Sequence, residues 1–416
     1  MEAMKRLPVK GIEWEEIKTS LNAFKSRDHS EVKNRLLSGI HKGDEKIHEI
    51  CKNAFNLYFH GNAFLGSHEQ GMAQMQKEVL EMAVGILNGG EEGRANMTTG
   101  GTESIFCAIH AAREWAKENR PEIKGPYEMV TPWTAHAAFE KAAHYLGIEM
   151  KRIDCQENYR ADVQAMEEAI TENTIIIVGS APCWGLGLID PIPQIAEIAV
   201  KHNLWMHSDC CVGGYLLPWI EKLGYYSIPP FDFRVPGVCS ISADLAKHGY
   251  AAKPASTVLF RSEELQKYNP VPVDDWQSGH YETHGMVGSR PAGSIASAWA
   301  VMHYLGEEGY IDVTRRSLEI KERMIKEIEA IDGLECMRNE CLLIPIGSES
   351  IEMINLFGGL VEKGYFPFGT LTPLMIHVSA ENVGDEVIEL FLKDLREVSE
   401  GVKAGTVTAE ALARYM

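Results

Sequence analysis

The chain has 416 residues, 45% of them hydrophobic and 24% charged, a balance that excludes a largely disordered protein and allows a sizeable core of two or three units. A formal net charge of −19 works against nonspecific binding to nucleic acid or to an anionic membrane surface. No run of about 18 apolar residues occurs, and MEAMKRLPVKGIEWEEIK carries charges where a signal peptide needs its apolar stretch, so a cytoplasmic protein without a membrane anchor is expected.

Residues 1–66 are polar and helical in character. In MAQMQKEVLEMAVGILNGG, Met75, Val79, Met82, Ala83 and Leu87 recur at helical spacing and Gly89-Gly90 supplies a stop; the methionine stripe reads as core packing. Next come a helix opening near Gly101 to Ser104, a short apolar run at Tyr127 to Thr131, a helix in HAAFEKAAHYLG, and a polar stretch with a helix at Asp162 to Ile170. The β-rich run TIIIVGSAP, a helix in IPQIAEIAVKHN, the strand LWMHSD and a β-rich run at Val238 to Ala243 continue the alternation. Strands separated by helices imply an α/β fold with a mostly parallel sheet covered on both faces. Catalytic groups are then expected at the carboxyl ends of its strands.

A long helix is predicted through SIASAWAVMHYLG and another from about Val313 to Ile331. The rest, with LECMRNECLLIPIG, a helix in INLFGGLVEKG, a strand at MIHVS and a last amphipathic helix, reads as a smaller α+β domain. The expected division is therefore 1–66, an N-terminal helical segment; 67–310, a large α/β domain; and 311–416, the small C-terminal domain. The nine cysteines lack the spacing of a disulfide scaffold, and no four-ligand zinc grouping occurs, so no metal is expected.

Four features fall in the order that a pyridoxal 5′-phosphate (PLP) site requires. In TTGGTES, Gly100 and Gly101 let the backbone approach an anion, and exposed N–H groups with Thr102 can hold a phosphate at a helix N-terminus. His136, at the start of a helix after YEMVTP, can stack on a pyridine ring and transfer protons. Asp209, ending LWMHSD, can keep the pyridine nitrogen protonated so that the ring acts as an electron sink. Lys247, in SISADLAKHGYAAK, can hold the cofactor aldehyde as a Schiff base, with Lys253 as the rival and as the charge expected to lower its proton affinity. Singly, each has a structural explanation: a capped glycine turn, a turn histidine, a strand-end aspartate, a surface lysine. Their sequential agreement carries the reading.

At MTTGGTESI, HAAFEKAAHYLGIEM, HSDCCVGGY, FDFRVPGVCSISADLAKHGYAAK and GSRPAGSIASAWAVMHYLGEEGYIDVT the chain resembles the sphingosine-1-phosphate lyase family, over about residues 55 to 400. That family belongs to the fold-type-I PLP enzymes and is related to the group II amino-acid decarboxylases. The resemblance implies a mostly parallel seven-stranded sheet and a homodimer with shared active sites, in which Gly288 and Ser289 reach the partner chain's cofactor phosphate. It implies Lys247 as the Schiff-base lysine, Asp209 on the ring nitrogen, His136 on the ring face, Gly101 and Thr102 on the phosphate with Ser242 near it, and Tyr250 and Lys253 close to a small-molecule substrate. The implied reaction is cleavage of a carbon–carbon bond in a phosphorylated or otherwise anionic β-hydroxy amine, with amino-acid decarboxylation as the alternative.

The chain departs from the pattern at Ala246, where the family has histidine, at Cys210, where it has alanine, and in NAFLGSHEQG, which replaces a His-Pro loop. Cys183 and Trp184 fill a further divergent loop, where a bulky ring would narrow the pocket and favour a smaller substrate. The strand PLMIHVSAEN carries Met375, Ile376 and His377 and lacks the arginine with which decarboxylases hold a carboxylate, which favours the lyase.

Overall fold

The computed structural model describes residues 7–28, 41, 43–65, 68–381 and 383–408. Gly66, the expected end of the N-terminal segment, and the neighbouring Ser67 of the NAFLGSHEQG loop lie outside the described residues.

In chain order the elements are α1 (Trp14–Lys25), α2 (Glu45–Leu57), α3 (Gln70–Ile86), β1 (Arg94–Thr98), α4 (Gly101–Asn119), β2 (Tyr127–Pro132), α5 (Ala138–Leu146) and β3 (Ile148–Ile153). There follow α6 (Val163–Glu168), β4 (Thr174–Ser180), α7 (Ile192–Lys201), β5 (Trp205–Asp209), α8 (Leu217–Leu223), β6 (Val238–Ala243), β7 (Ser256–Phe260) and α9 (Glu263–Gln266). The chain ends with α10 (Ala292–Glu329), β8 (Glu335–Cys336), β9 (Leu343–Gly347), α11 (Met353–Glu362), β10 (Phe368–Leu371), β11 (Leu374–Ser379) and α12 (Asp385–Lys403). No helix among the described residues is long and apolar enough to cross a membrane.

Seven strands form one sheet in the order β1-β7-β6-β5-β4-β2-β3. The five from β6 to β3 run parallel, and β7 is antiparallel to both of its neighbours. Both faces are buried, which explains the apolar runs: Met129, Ile176 and Trp205 pack under α4 and α5, whereas Val130, Ile177 and Met206 pack with α7 and α8 on the other face. The methionine-bearing helix α3 joins that second core through Val79, Ala83 and Leu87. A smaller antiparallel sheet, β10-β11-β9-β8, packs against α11 and α12 around a separate core.

The two helices predicted around residue 310 are one run of 38 residues broken at Gly306, whose φ of 53° ends the first helical piece. The second piece therefore starts about six residues earlier than its apolar periodicity suggested, and residue 310 lies inside it. The turn between β4 and α7 is held by Asp190, whose carboxylate accepts Ser180 N–H at 2.8 Å and Ala161 N–H at 2.9 Å.

Burial pushes the Asp190 pKa up to about 6, against the pull of those two donors. An acid raised on folding contributes stability that is full below its unfolded pKa and lost as pH rises through about 6; the shift corresponds to on the order of 3 kcal/mol. Asp190→Asn removes this titration. The gap in melting temperature between wild type and variant is expected to narrow from about pH 4 to about pH 7. A gap independent of pH would show that Asp190 is ionised throughout.

Candidate active site

Strand ends gather the sequence-predicted groups at one edge of the large sheet. Asp209 closes β5, the turn 244–255 between β6 and β7 carries Lys247, and the N-terminus of α4 brings Gly101 and Thr102. With His136 and Trp184 these residues line one cavity of about 210 Å³.

Asp209 is 5% exposed and fixed from two sides: Cys211 N–H donates to Oδ1 at 3.1 Å and Ser242 O–H donates to the same oxygen at 2.9 Å. Behind Ser242 runs a buried chain with a single consistent direction. A carboxylate only accepts, so Ser242 spends its proton on Asp209 and must accept from His207 Nε2–H, 3.2 Å away. His207 Nδ1 then accepts from the Ser240 hydroxyl at 2.9 Å, and Ser240 Oγ accepts from Trp205 Nε1–H at 2.8 Å. Burial pushes the His207 pKa down to about 4, which keeps the ring neutral as this chain requires. Ser242 thus stands beneath Asp209, bonded to it and to His207, whereas the resemblance put it near a phosphate. His207 was not singled out in the sequence; its position two residues before Asp209, on the same face of β5, was the available signal.

Lys247 Nζ lies 2.9 Å from Asp244 Oδ2. Burial works against the charged amine, but Asp244, with Cys211 and Asp209, outweighs it, and the lysine holds its proton more strongly than an ordinary one. The expected lowering by Lys253 does not occur: Lys253 is exposed and lines neither this cavity nor the one beside it. Asp244 is in turn bonded by Ser256, which is 2.8 Å from Ser104 of α4. Tyr250, at φ 58°, is buried in a side cluster with Trp219 and Tyr310 and lines neither cavity.

His136 is half-buried. Its Nδ1 accepts Ala138 N–H at 3.1 Å, which sets the ring, and burial lowers its pKa. Cys210 and Cys211 are buried thiols with pKa values raised well above the ordinary range by desolvation, which makes them unreactive. Gly288 and Ser289 line neither cavity of their own chain; Ser289 Oγ accepts from Asn62 Nδ2 at 3.1 Å on the surface.

The second cavity, of about 50 Å³, adjoins the first through Lys247, Val212 and Trp184. Trp184, which lines both cavities, packs edge-on against Phe368 and His377, with ring centroids 5.3 and 5.2 Å away. Burial pushes the His377 pKa down to about 4, so this ring on β11 is neutral near pH 7. At the far end sit His41, His248 and Glu381, a group spread over 340 residues and invisible to any local motif.

The two glycines of TTGGTES differ. A Cβ on Gly101 would lie 2.7 Å from Cys211 Sγ and 2.8 Å from Asp244 Oδ2, whereas one on Gly100 meets nothing within 4 Å. Gly101 is therefore a cradle in which the backbone must come close, and a lysine, a strand-end carboxylate and a helix N-terminus around it fit a phosphorylated pyridine aldehyde.

Comparison with known proteins agrees. The pyridoxal-dependent decarboxylase conserved domain matches residues 53–343. The sphingosine-1-phosphate lyase 1 of Rattus norvegicus is 36% identical over 397 residues, 95% of this chain and 69% of the rat protein. A probable L-aspartate decarboxylase of Pyrococcus furiosus is 32% identical over 82% of this chain and 88% of its own. The structure of a Burkholderia pseudomallei sphingosine-1-phosphate lyase superposes with a TM-score of 0.91 at 32% identity, covering 97% of this chain and 94% of that one.

Gly101→Ala is expected to destabilise the fold by about 1–3 kcal/mol through overpacking against Cys211 and Asp244. Gly100→Ala, an extended helix cap with open space, should cost less than about 1 kcal/mol. Chemical denaturation of both variants checks the order; equal losses would refute the cradle.

Proposed function

We propose, from the premise that this chain belongs to the pyridoxal-dependent decarboxylase family and to its sphingosine-1-phosphate lyase branch, that it cleaves the Cα–Cβ bond of a phosphorylated or otherwise anionic β-hydroxy amine. The observation that carries the reading is the arrangement of Lys247, Asp209 and Gly101 around one cavity, with no arginine among the described residues that line the cavity beside it. When bound, PLP supplies an electron sink next to the carbon that carries the amine.

The residues of this chain do the rest. Lys247 Nζ would hold the cofactor aldehyde covalently and give up that place to the substrate amine. Asp209, held rigid by Ser242 O–H and Cys211 N–H, keeps a proton on the ring nitrogen. His136 would lie against the ring, and the N–H groups at Gly101 and Thr102 would hold the phosphate at the positive end of α4. Loss of the β-hydroxyl proton to a base would let a carbonyl form at Cβ as the Cα–Cβ bond breaks. The aldehyde departs, and Cα takes up a proton to leave an amine.

The constriction at Trp184 supports a substrate shorter than a long-chain sphingoid phosphate. The decarboxylase alternative draws on the archaeal relative, but a neutral His377 on β11 offers a substrate carboxylate no charge partner.

A homodimer completes the site. Helix α1 buries none of its residues in its own chain, leaving Trp14, Leu21 and Phe24 60%, 51% and 59% exposed, and the loop bearing Gly288 and Ser289 exposes Met286 at 57%. Apolar surface of this extent suits a partner chain.

The test is an absorbance spectrum of wild type and Lys247→Ala, followed by candidate β-hydroxy amines with detection of aldehyde and of carbon dioxide. A visible band absent from the variant, with aldehyde released by wild type, is expected; carbon dioxide without aldehyde would transfer the chain to decarboxylation. For the dimer, Lys247→Ala mixed and co-refolded with Ser289→Trp should recover up to about a quarter of wild-type activity, because each hybrid contains one intact site. No recovery from hybrids would place Ser289 outside the partner's site.

A further inference from the structure

Three side chains that the cofactor does not use converge at the far end of the smaller cavity. His41 stands ahead of α2, His248 directly follows Lys247, and Glu381 lies just beyond β11 in the region of the small sheet. Their nitrogen and carboxylate oxygen atoms lie within 4.8 Å of one another. His41 Nδ1 is 2.8 Å from the Glu381 carboxylate, and His248 Nδ1 is 3.6 Å from it, with the two ring centroids 4.9 Å apart.

Hydrogen bonding accounts for only part of this arrangement. Glu381 accepts from His41 and from Ser379 O–H at 2.8 Å. His248 is 4% exposed, and its Nδ1, at 3.6 Å, is beyond hydrogen-bond length and has no partner among the described residues. A buried ring nitrogen turned toward a carboxylate it does not bond is costly unless something binds between them.

Two imidazole nitrogens and one carboxylate form the ligand set of zinc sites that keep a coordination position open. Zinc bonds of about 2.0–2.2 Å in tetrahedral geometry put donor atoms roughly 3.3 Å apart. That value falls between the two nitrogen–carboxylate separations, and with all three donor atoms within 4.8 Å of one another the two imidazoles need only turn toward each other to close on one ion. Ser379 supplies the outer hydrogen bond that orients a ligating carboxylate.

We propose that His41, His248 and Glu381 bind one divalent transition-metal ion of the zinc class, with its open position facing the cavity that leads to Lys247. The ion ties the N-terminal segment, the lysine-bearing turn and the end of β11 to one point, and the site stands independently of the reaction proposed above. One consequence rests on that reaction: the ion turns the negative charge of Glu381 into a net positive wall, which suits the anionic end of a substrate.

The holoenzyme, stripped with a chelator and dialysed, is titrated with zinc and analysed by equilibrium dialysis with elemental analysis. Wild type is expected to take up about one zinc per chain, and the isosteric Glu381→Gln and the surface-side His41→Ala each to bind it at least tenfold more weakly. The lysine-linked cofactor band is recorded in the same samples, so that loss of zinc with the band retained reports loss of the site and not of the fold. Zinc bound equally by wild type and both variants, or not retained by wild type at micromolar concentration, would overturn the proposal. Aldehyde release, measured separately, distinguishes the two readings: zinc bound as expected without aldehyde upholds the metal site and sinks the lyase reaction.

Discussion

The register between β5 and β6 is the constraint from which the site follows. Parallel pairing sets His207 opposite Ser240 and Asp209 opposite Ser242, so the side chains of two adjacent strands interleave into one hydrogen-bonded ladder that ends on Asp209. A slip of one residue would turn His207 and Asp209 to the other face and leave both hydroxyls without partners. The same strand β6 runs on into the turn with Asp244 and Lys247, so the register that orients the carboxylate also places the lysine. Because every member of the ladder is buried and satisfied, it is rigid, which suits the role proposed for Asp209.

Electrostatics at the lysine run against the sequence-based expectation for a clear reason. A neighbouring cation was expected to lower the proton affinity of Lys247, but the turn carries Lys253 out to solvent and brings Asp244 in. Two carboxylates therefore face a buried amine. The close approach of α4 enforces this: the missing side chain of Gly101 admits Cys211 and Asp244, and Ser256 links Asp244 to Ser104 on the same helix.

Most of the large sheet was legible because its central strands are buried on both faces and read as continuous apolar runs. The strands that escaped lack this signal. β1 is RANMT, with only Met97 strongly apolar, and β3 is an edge strand, IEMKRI, whose Lys151 and Arg152 reach outward. β7 is apolar but follows β6 without an intervening helix, so it falls outside the strand–helix alternation. In the site, Lys247, Asp209, His136 and Gly101 were legible because each is a chemical group at a strand or helix end. Ser242 and Tyr250 were placed by family likeness, and their surroundings are set by packing: Ser242 by the ladder, Tyr250 by the ring of Tyr310. The trio of His41, His248 and Glu381 had no local pattern, since only the fold brings residues 41, 248 and 381 together.

On the reaction proposed, specificity would rest on the small cavity more than on the cofactor site. Decarboxylation and carbon–carbon cleavage need the same electron sink; they differ in which bond at Cα is aligned with it, and the groups beyond Lys247 decide that alignment. Here those groups are Trp184, Phe368 and His377, three rings in contact, and beyond them an imidazole pair around one carboxylate. Packed rings reject a charged carboxylate unless a cation meets it, because a buried charge without a partner is costly. With the proposed ion bound to His41, His248 and Glu381, positive charge would stand at the far end of the cavity and would draw the anionic end of a substrate there. The neutral Cα–Cβ bond is thereby left beside the electron sink, an arrangement that suits cleavage of that bond.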